Sequence, residues 1–219
     1  MEPFLVKDCM LLIRMSGLSP AFNLRELRDR IACCSPDVIY HHFCETLLAP
    51  TFDYPDFRND FAVWVKRQLE ENVLAERLGV IDPYGYSSME KLRTDVLDIL
   101  DERINEMTFL PSVSPGHEFH FREAVTLVFE TGARILYPED MPGAIEKMTK
   151  GSIYFHFLEA RRRTLGRVDD FSLWLEEFGE PWVPAIMEMR SFDFLFQSLN
   201  ELKNDLIRVM NPFCMEKRR

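Results

Sequence analysis

The class that this 219-residue chain predicts is a mostly helical α+β fold, internally duplicated with pseudo-two-fold symmetry and one strand per repeat. Three observations predict it. First, Ile39-Tyr40-His41-His42-Phe43-Cys44-Glu45 returns as Ile153-Tyr154-Phe155-His156-Phe157-Leu158-Glu159, sharing Ile-Tyr-x-His-Phe-x-Glu at an offset of 114. A repeat of this kind governs the fold before any single element does. Second, the echo continues on both sides. Phe4, Val6, Cys9, Leu12 and Gly17 stand 115 residues before Phe119, Phe121, Ala124, Leu127 and Gly132, and Asp60-Phe61-Ala62-Val63-Trp64-Val65 stands 110 before Asp170-Phe171-Ser172-Leu173-Trp174-Leu175. Third, helix caps and apolar stripes at helical spacing far outnumber strand-like runs. The repeat units are residues 1–112 and 113–219, expected to share one globular body.

Taken in order, residues 4–15 read as a strand because their counterpart, 120–131, is rich in β-branched and aromatic side chains. Gly17 and Gly132 are expected to close the two strands with turns. Two strands alone make a marginal ribbon, so they are expected to pair with each other or to be capped by helices in a mostly helical body. Asn23 with Glu26 has capping-box spacing and opens a helix carrying Leu24, Leu27 and Ile31 on one face. Pro36 sits at the first position of the next helix, about 36–48, which bears the central motif. After a Pro and aromatic loop at 50–55, Phe57, Phe61, Trp64, Val65 and Leu69 form an apolar helical stripe. A short helix follows at 72–79 and ends at Gly79. Ser87 with Glu90 then opens the longest helix, about 88–107, and 110–116 reads as a linker. The second unit repeats the order, with helices near 139–149, 151–164, 169–178, 181–190 and 192–210 and a frayed tail from Met210.

Composition narrows the functional classes. With 47% hydrophobic and 12% aromatic residues the chain has ample material for a core. A formal charge of −10 argues against nucleic acid and acidic membranes as partners, since phosphate binding rests on clustered Lys and Arg. No run approaches the ~18 apolar residues of a membrane span, and Met1-Glu2-Pro3-Phe4 lacks the start of a secretory signal, so a cytoplasmic location is expected. Five cysteines without a C-x-x-C pair indicate reduced, packed thiols. No Gly-rich phosphate loop, nucleophile elbow or H-E-x-x-H stretch is present.

The candidate site is the repeated pair. On a helix, residues three apart share a side, so His42 projects with Glu45 and His156 with Glu159. Imidazole and carboxylate one turn apart, supplied twice, suggest a divalent metal held by His42, Glu45, His156 and Glu159 at the repeat interface, in the spirit of di-metal helical bundles. Asp60 and Asp170 would be the further carboxylates. The structural reading, in which each histidine bonds its glutamate or a backbone carbonyl and fixes helix packing, is preferred, so no cofactor is expected. Tyr40 and Tyr154 are the candidate ligand-binding tyrosines. Arg161-Arg162-Arg163 complements a helix C-terminus.

The segments Leu24-Arg25-Glu26-Leu27-Arg28-Asp29, Ile39-Tyr40-His41-His42-Phe43, Asn59-Asp60-Phe61, Ala75-Glu76-Arg77-Leu78 and Gly151-Ser152-Ile153-Tyr154-Phe155-His156-Phe157 resemble an uncharacterised prokaryotic family of about this length. Members of that family tend to be encoded near sugar-nucleotide and glycosyltransferase genes, so the resemblance implies an accessory role in sugar metabolism. It brings no catalytic residue. The expected function is a cytoplasmic binding or accessory module with an unknown protein or small-molecule partner. The alternative is a metal-dependent enzyme.

Overall fold

The sheet joins a run rich in β-branched and aromatic residues, in the second half of the chain, to its less distinctive counterpart near the start. In a computed structural model describing residues 2–50, 56–164 and 166–216, β1 (Phe4–Met15) pairs antiparallel with β2 (Arg122–Ile135) in a two-stranded sheet. Thr131 Oγ1 donates to the Val6 carbonyl, Arg14 bonds Glu123, and Ser16 N–H donates to the Phe121 carbonyl, which fixes one register along the ribbon. The first strand has the predicted bounds; the second runs to Ile135. Gly132 therefore lies inside β2 at φ +79°, not at its end, whereas Gly17, at φ +83°, follows β1 as expected. Only glycine takes such a φ without strain, so the strand continues through a position that reads as a turn.

The chain divides into two compact units, residues 11–125 and residues 1–10 with 126–219. Thus the segment 1–10 lies with helices from the second half of the chain, and the segment up to Val125 with helices from the first half.

In the unit 11–125, α1 (Leu24–Cys33) starts at the predicted cap: the Asn23 side chain accepts from Glu26 N–H, while Glu26 Oε2 accepts from Phe22 N–H. Its end is held by Arg93, which is buried and donates to the Ile31 and Cys34 carbonyls at 2.7 and 2.8 Å. That bond satisfies carbonyls which a helix terminus leaves without partners. α2 (Pro36–Tyr40) runs into a π-helical segment, His41–Glu45, so the motif helix is not uniformly α-helical. α3 (Asp60–Gln68) is capped by Asn59, whose side chain accepts from Ala62 N–H. Phe57 therefore precedes the helix, and the predicted stripe begins at Phe61. Phe61, Trp64 and Val65 are buried, each contributing roughly 1.5–3 kcal/mol of transfer free energy. α4 (Asn72–Gly79) packs on α3, and α5 (Met89–Glu106) packs on α1. The cap of α5 is Ser88, which accepts from Lys91 N–H; Ser87 with Glu90 is one residue out of phase. The predicted loop at 50–55 falls, beyond Pro50, outside the described residues.

In the other unit, α6 (Met141–Lys147) follows a 3-10 turn at Pro138–Asp140. α7 (Lys150–Ile153) again enters a π-helical segment, Tyr154–Glu159, before α8 (Ala160–Arg163). α9 (Asp170–Glu176) is capped by Asp169, and α10 (Val183–Arg190) follows a 3-10 turn at Glu180–Trp182. α11 (Leu199–Glu216) packs on α6 and α10. It starts later than the expected 192 and continues through Pro212 in place of a frayed tail. Among the described residues no helix is long and apolar enough to cross a membrane.

Candidate functional site

His42 sits in the π-helical segment of the unit 11–125, among the rings of Phe61, Phe119 and Phe121. Its Nδ1 lies 2.7 Å from Asp60 Oδ2, and its Nε2 is 2.9 Å from the backbone nitrogen of Arg122. The amide carries its own hydrogen, so Nε2 must be the bare, accepting nitrogen. Nδ1 is then the protonated one and donates to the carboxylate. Burial, opposed by Asp60, holds the His42 pKa below the usual imidazole value, in keeping with this neutral tautomer. Asp60 is the first residue of α3, where the helix N-terminus favours its charge.

The same construction stands around His156 in the unit 1–10 with 126–219. His156 Nδ1 is 2.7 Å from Asp170 Oδ2, and Nε2 accepts from the Lys7 N–H at 2.9 Å. Phe4 packs on His156 and stacks on Phe171, as Phe119 packs on His42 and stacks on Phe61. Even the tryptophans agree: Trp64 Nε1 donates to the His117 carbonyl and Trp174 Nε1 to that of Glu2.

The surroundings differ in openness. His42 and Asp60 are enclosed, with side-chain exposures of 0% and 3%, whereas Asp170 is 20% exposed beside a 280 Å³ cleft that reaches His156 and Arg163. Arg163 bonds Asp170 Oδ2 at 2.9 Å and the Phe155 carbonyl at 3.1 Å, and lies over the Phe155 ring.

The predicted His/Glu pairs are not pairs. Glu45 bonds His41 Nδ1 at 2.8 Å, four residues away, and Glu159 lies 3.5 Å from Arg162. A π-helix turns more widely than an α-helix, so the three-residue spacing no longer aligns His42 with Glu45. His41 is wholly buried, and its Nε2 has no hydrogen-bond partner among the described residues. Tyr154 has no exposed surface and Tyr40 is 9% exposed. Among the described residues no three or more His, Cys, Asp or Glu side chains gather as a metal would need. Asp60 and Asp170 are the partners that helical spacing does not suggest; their signal in the sequence is their own repetition, each followed by Phe and, four residues on, by Trp.

Arg161 and Asp169 make a further buried group. Asp169 accepts from Ser172 N–H and Oγ at 2.8 Å each, lies 3.8 Å from Arg161, and has its carboxyl pushed above the usual range by burial. The guanidinium also lies over the Phe157 and Phe194 rings.

Residues 1–211 match a single protein family. The chain belongs to DUF5752, a family of unknown function. It is also similar to a solved structure, OrfY from Thermoproteus tenax, at 28% identity and a TM-score of 0.76, over 96% of this chain and 94% of that one. No curated protein matches it. Family membership thus brings no reaction with it, and the chemistry has to be read from the geometry.

Proposed function

We propose that this DUF5752 protein is a non-catalytic binding or accessory module made of two copies of one unit, residues 1–112 and 113–219. The observation that carries the reading is the occupancy of the repeated histidines. In both copies one ring nitrogen donates to an aspartate and the other accepts from a strand amide. An imidazole with both nitrogens engaged by the protein has no lone pair for a metal or for a substrate proton. Its work is to hold strand and helix together. The matching distances, rings and tryptophan bonds of the two sites support the duplication, because unrelated segments have no reason to repeat five contacts. The accessory role in sugar metabolism implied by the family resemblance, and a cytoplasmic setting, belong to the same proposal.

The test is capture of the protein at its native abundance, followed by identification of bound proteins and small molecules, with metal analysis of protein purified without a histidine tag. A stoichiometric partner or ligand and sub-stoichiometric metal are expected. No binder of either kind would overturn the reading. One metal per chain, lost on His42→Ala or His156→Ala, would replace it with a divalent-metal enzyme using His42, Glu45, His156 and Glu159.

A further inference from the structure

A cavity of about 650 Å³ opens in the unit 1–10 with 126–219, between the end of β2 and helices α6 and α7. Its size is that of a small-molecule site. Val6, Ile135 and Met148 line it and are nearly buried, giving it an apolar floor.

Ser152 is the unusual member of the wall. It is 1% exposed, it lines the cavity, and its hydroxyl makes no hydrogen bond to any described residue. The other hydroxyls there are committed to the protein: Thr131 Oγ1 donates to the Val6 carbonyl, and Thr149 Oγ1 donates to Asp8 and accepts from Ser152 N–H. The Ser152 hydroxyl is thus left to the cavity, where water or a bound molecule supplies its partner.

The charges on the wall define the occupant. Arg134, Lys147, Asp140 and Glu146 line the cavity with side chains that make no ion pair or hydrogen bond within the described protein. With Glu139 the wall holds two cations and three carboxylates, on a chain of net charge −10. A phosphorylated ligand would meet a net negative wall. A purely apolar one would make no use of these four charged side chains, which are exposed and keep their water. An uncharged molecule bearing several hydroxyls offers acceptors to the cations and donors to the carboxylates, and its C–H face can rest on the floor.

We propose that this cavity binds an uncharged polyhydroxylated small molecule, a mono- or disaccharide in size, with the Ser152 hydroxyl as its innermost contact. The proposal rests on the binding-module reading above, for which it supplies a site.

Calorimetric titration of the full chain with glucose and maltose tests it, with glucose 6-phosphate and hexanol as counter-probes and the sugar's own NMR spectrum recorded during incubation. Saturable binding of at least one sugar is expected, weakened about tenfold or more by Ser152→Ala. Lys147→Met, at an exposed side chain that does not threaten folding, should weaken it as well. No saturable sugar binding, binding indifferent to both substitutions, or tighter binding of the phosphate or of hexanol would overturn the proposal. If sugar binds in a Ser152-dependent way but is consumed, the site stands and the non-catalytic reading falls. If native capture finds a protein partner while no sugar binds, the cavity proposal alone falls.

Discussion

His42→Ala and His156→Ala remove the same side chain from the same local construction, yet they should differ in severity. In the unit 11–125 the substitution strands the Asp60 carboxylate, 3% exposed, and the Arg122 amide, and leaves a void among Phe61, Phe119 and Phe121. An unsatisfied buried group costs about 1–3 kcal/mol and a charged one more, so the two groups and the void together give about 3–6 kcal/mol. In the other unit Asp170 keeps its 2.9 Å bond to Arg163 and is 20% exposed, so water can replace part of what is lost. About 1–2 kcal/mol is expected there. Urea denaturation reads the difference. At a slope of about 2 kcal/mol per M, a loss of 4 kcal/mol lowers the midpoint by about 2 M, and a loss of 1.5 by less than 1 M. Hydrogen exchange assigns each effect to its unit, because the Arg122 amide should lose protection in His42→Ala and the Lys7 amide in His156→Ala. Equal losses, or a larger loss for His156→Ala, would refute the argument that enclosure sets the penalty.

Burial holds the His42 pKa below its unfolded value of about 6.5, so the unfolded chain binds more protons in that range. The contribution is fully present above pH ~6.5 and is lost as pH falls below it, and stability should rise with pH there. The wild-type slope minus the His42→Ala slope isolates this group from Asp169, whose raised pKa acts with the opposite sign; a zero difference would contradict the neutral tautomer. At Gly151 an added Cβ would overlap the Cys9 carbonyl oxygen and Asp8 Oδ1, so Gly151→Ala should destabilise by about 1–3 kcal/mol, and a melt unchanged from wild type would show that the approach is not tight. Cys33 is exposed whereas Cys34 is buried, with its thiol pushed up to about 11 by burial. Cys33→Ser should therefore remove a fast phase of thiol labelling at pH 8 in the native protein, while Cys34→Ser should remove none.

Some of this molecule is written in short-range sequence. The Asn23 cap with its Glu26 partner, the α4 helix ending at Gly79 and the buried faces of α1 and α3 follow from caps, breakers and periodicity, whose physics acts within a turn or two. The repeated Ile-Tyr-x-His-Phe-x-Glu also picks out, without a structure, the two histidines whose hydrogen bonds match.

Their chemistry was decided elsewhere. Helical spacing assigns Glu45 to His42, but the π-helical winding gives Glu45 to His41 and turns His42 towards Asp60, eighteen residues on. The second nitrogen is taken by Arg122 or Lys7, on strands 80 and 149 residues away. In a two-stranded ribbon alternate amides point away from the ladder and must find an acceptor outside it. Which acceptor that is depends on the packing of distant segments, and with it whether a histidine is a free ligand or a fixed hydrogen-bond bridge. Sequence determined where the imidazoles recur; tertiary structure determined that neither has a nitrogen to spare, because a lone pair answers to the nearest donor in space and not to the nearest residue in the chain.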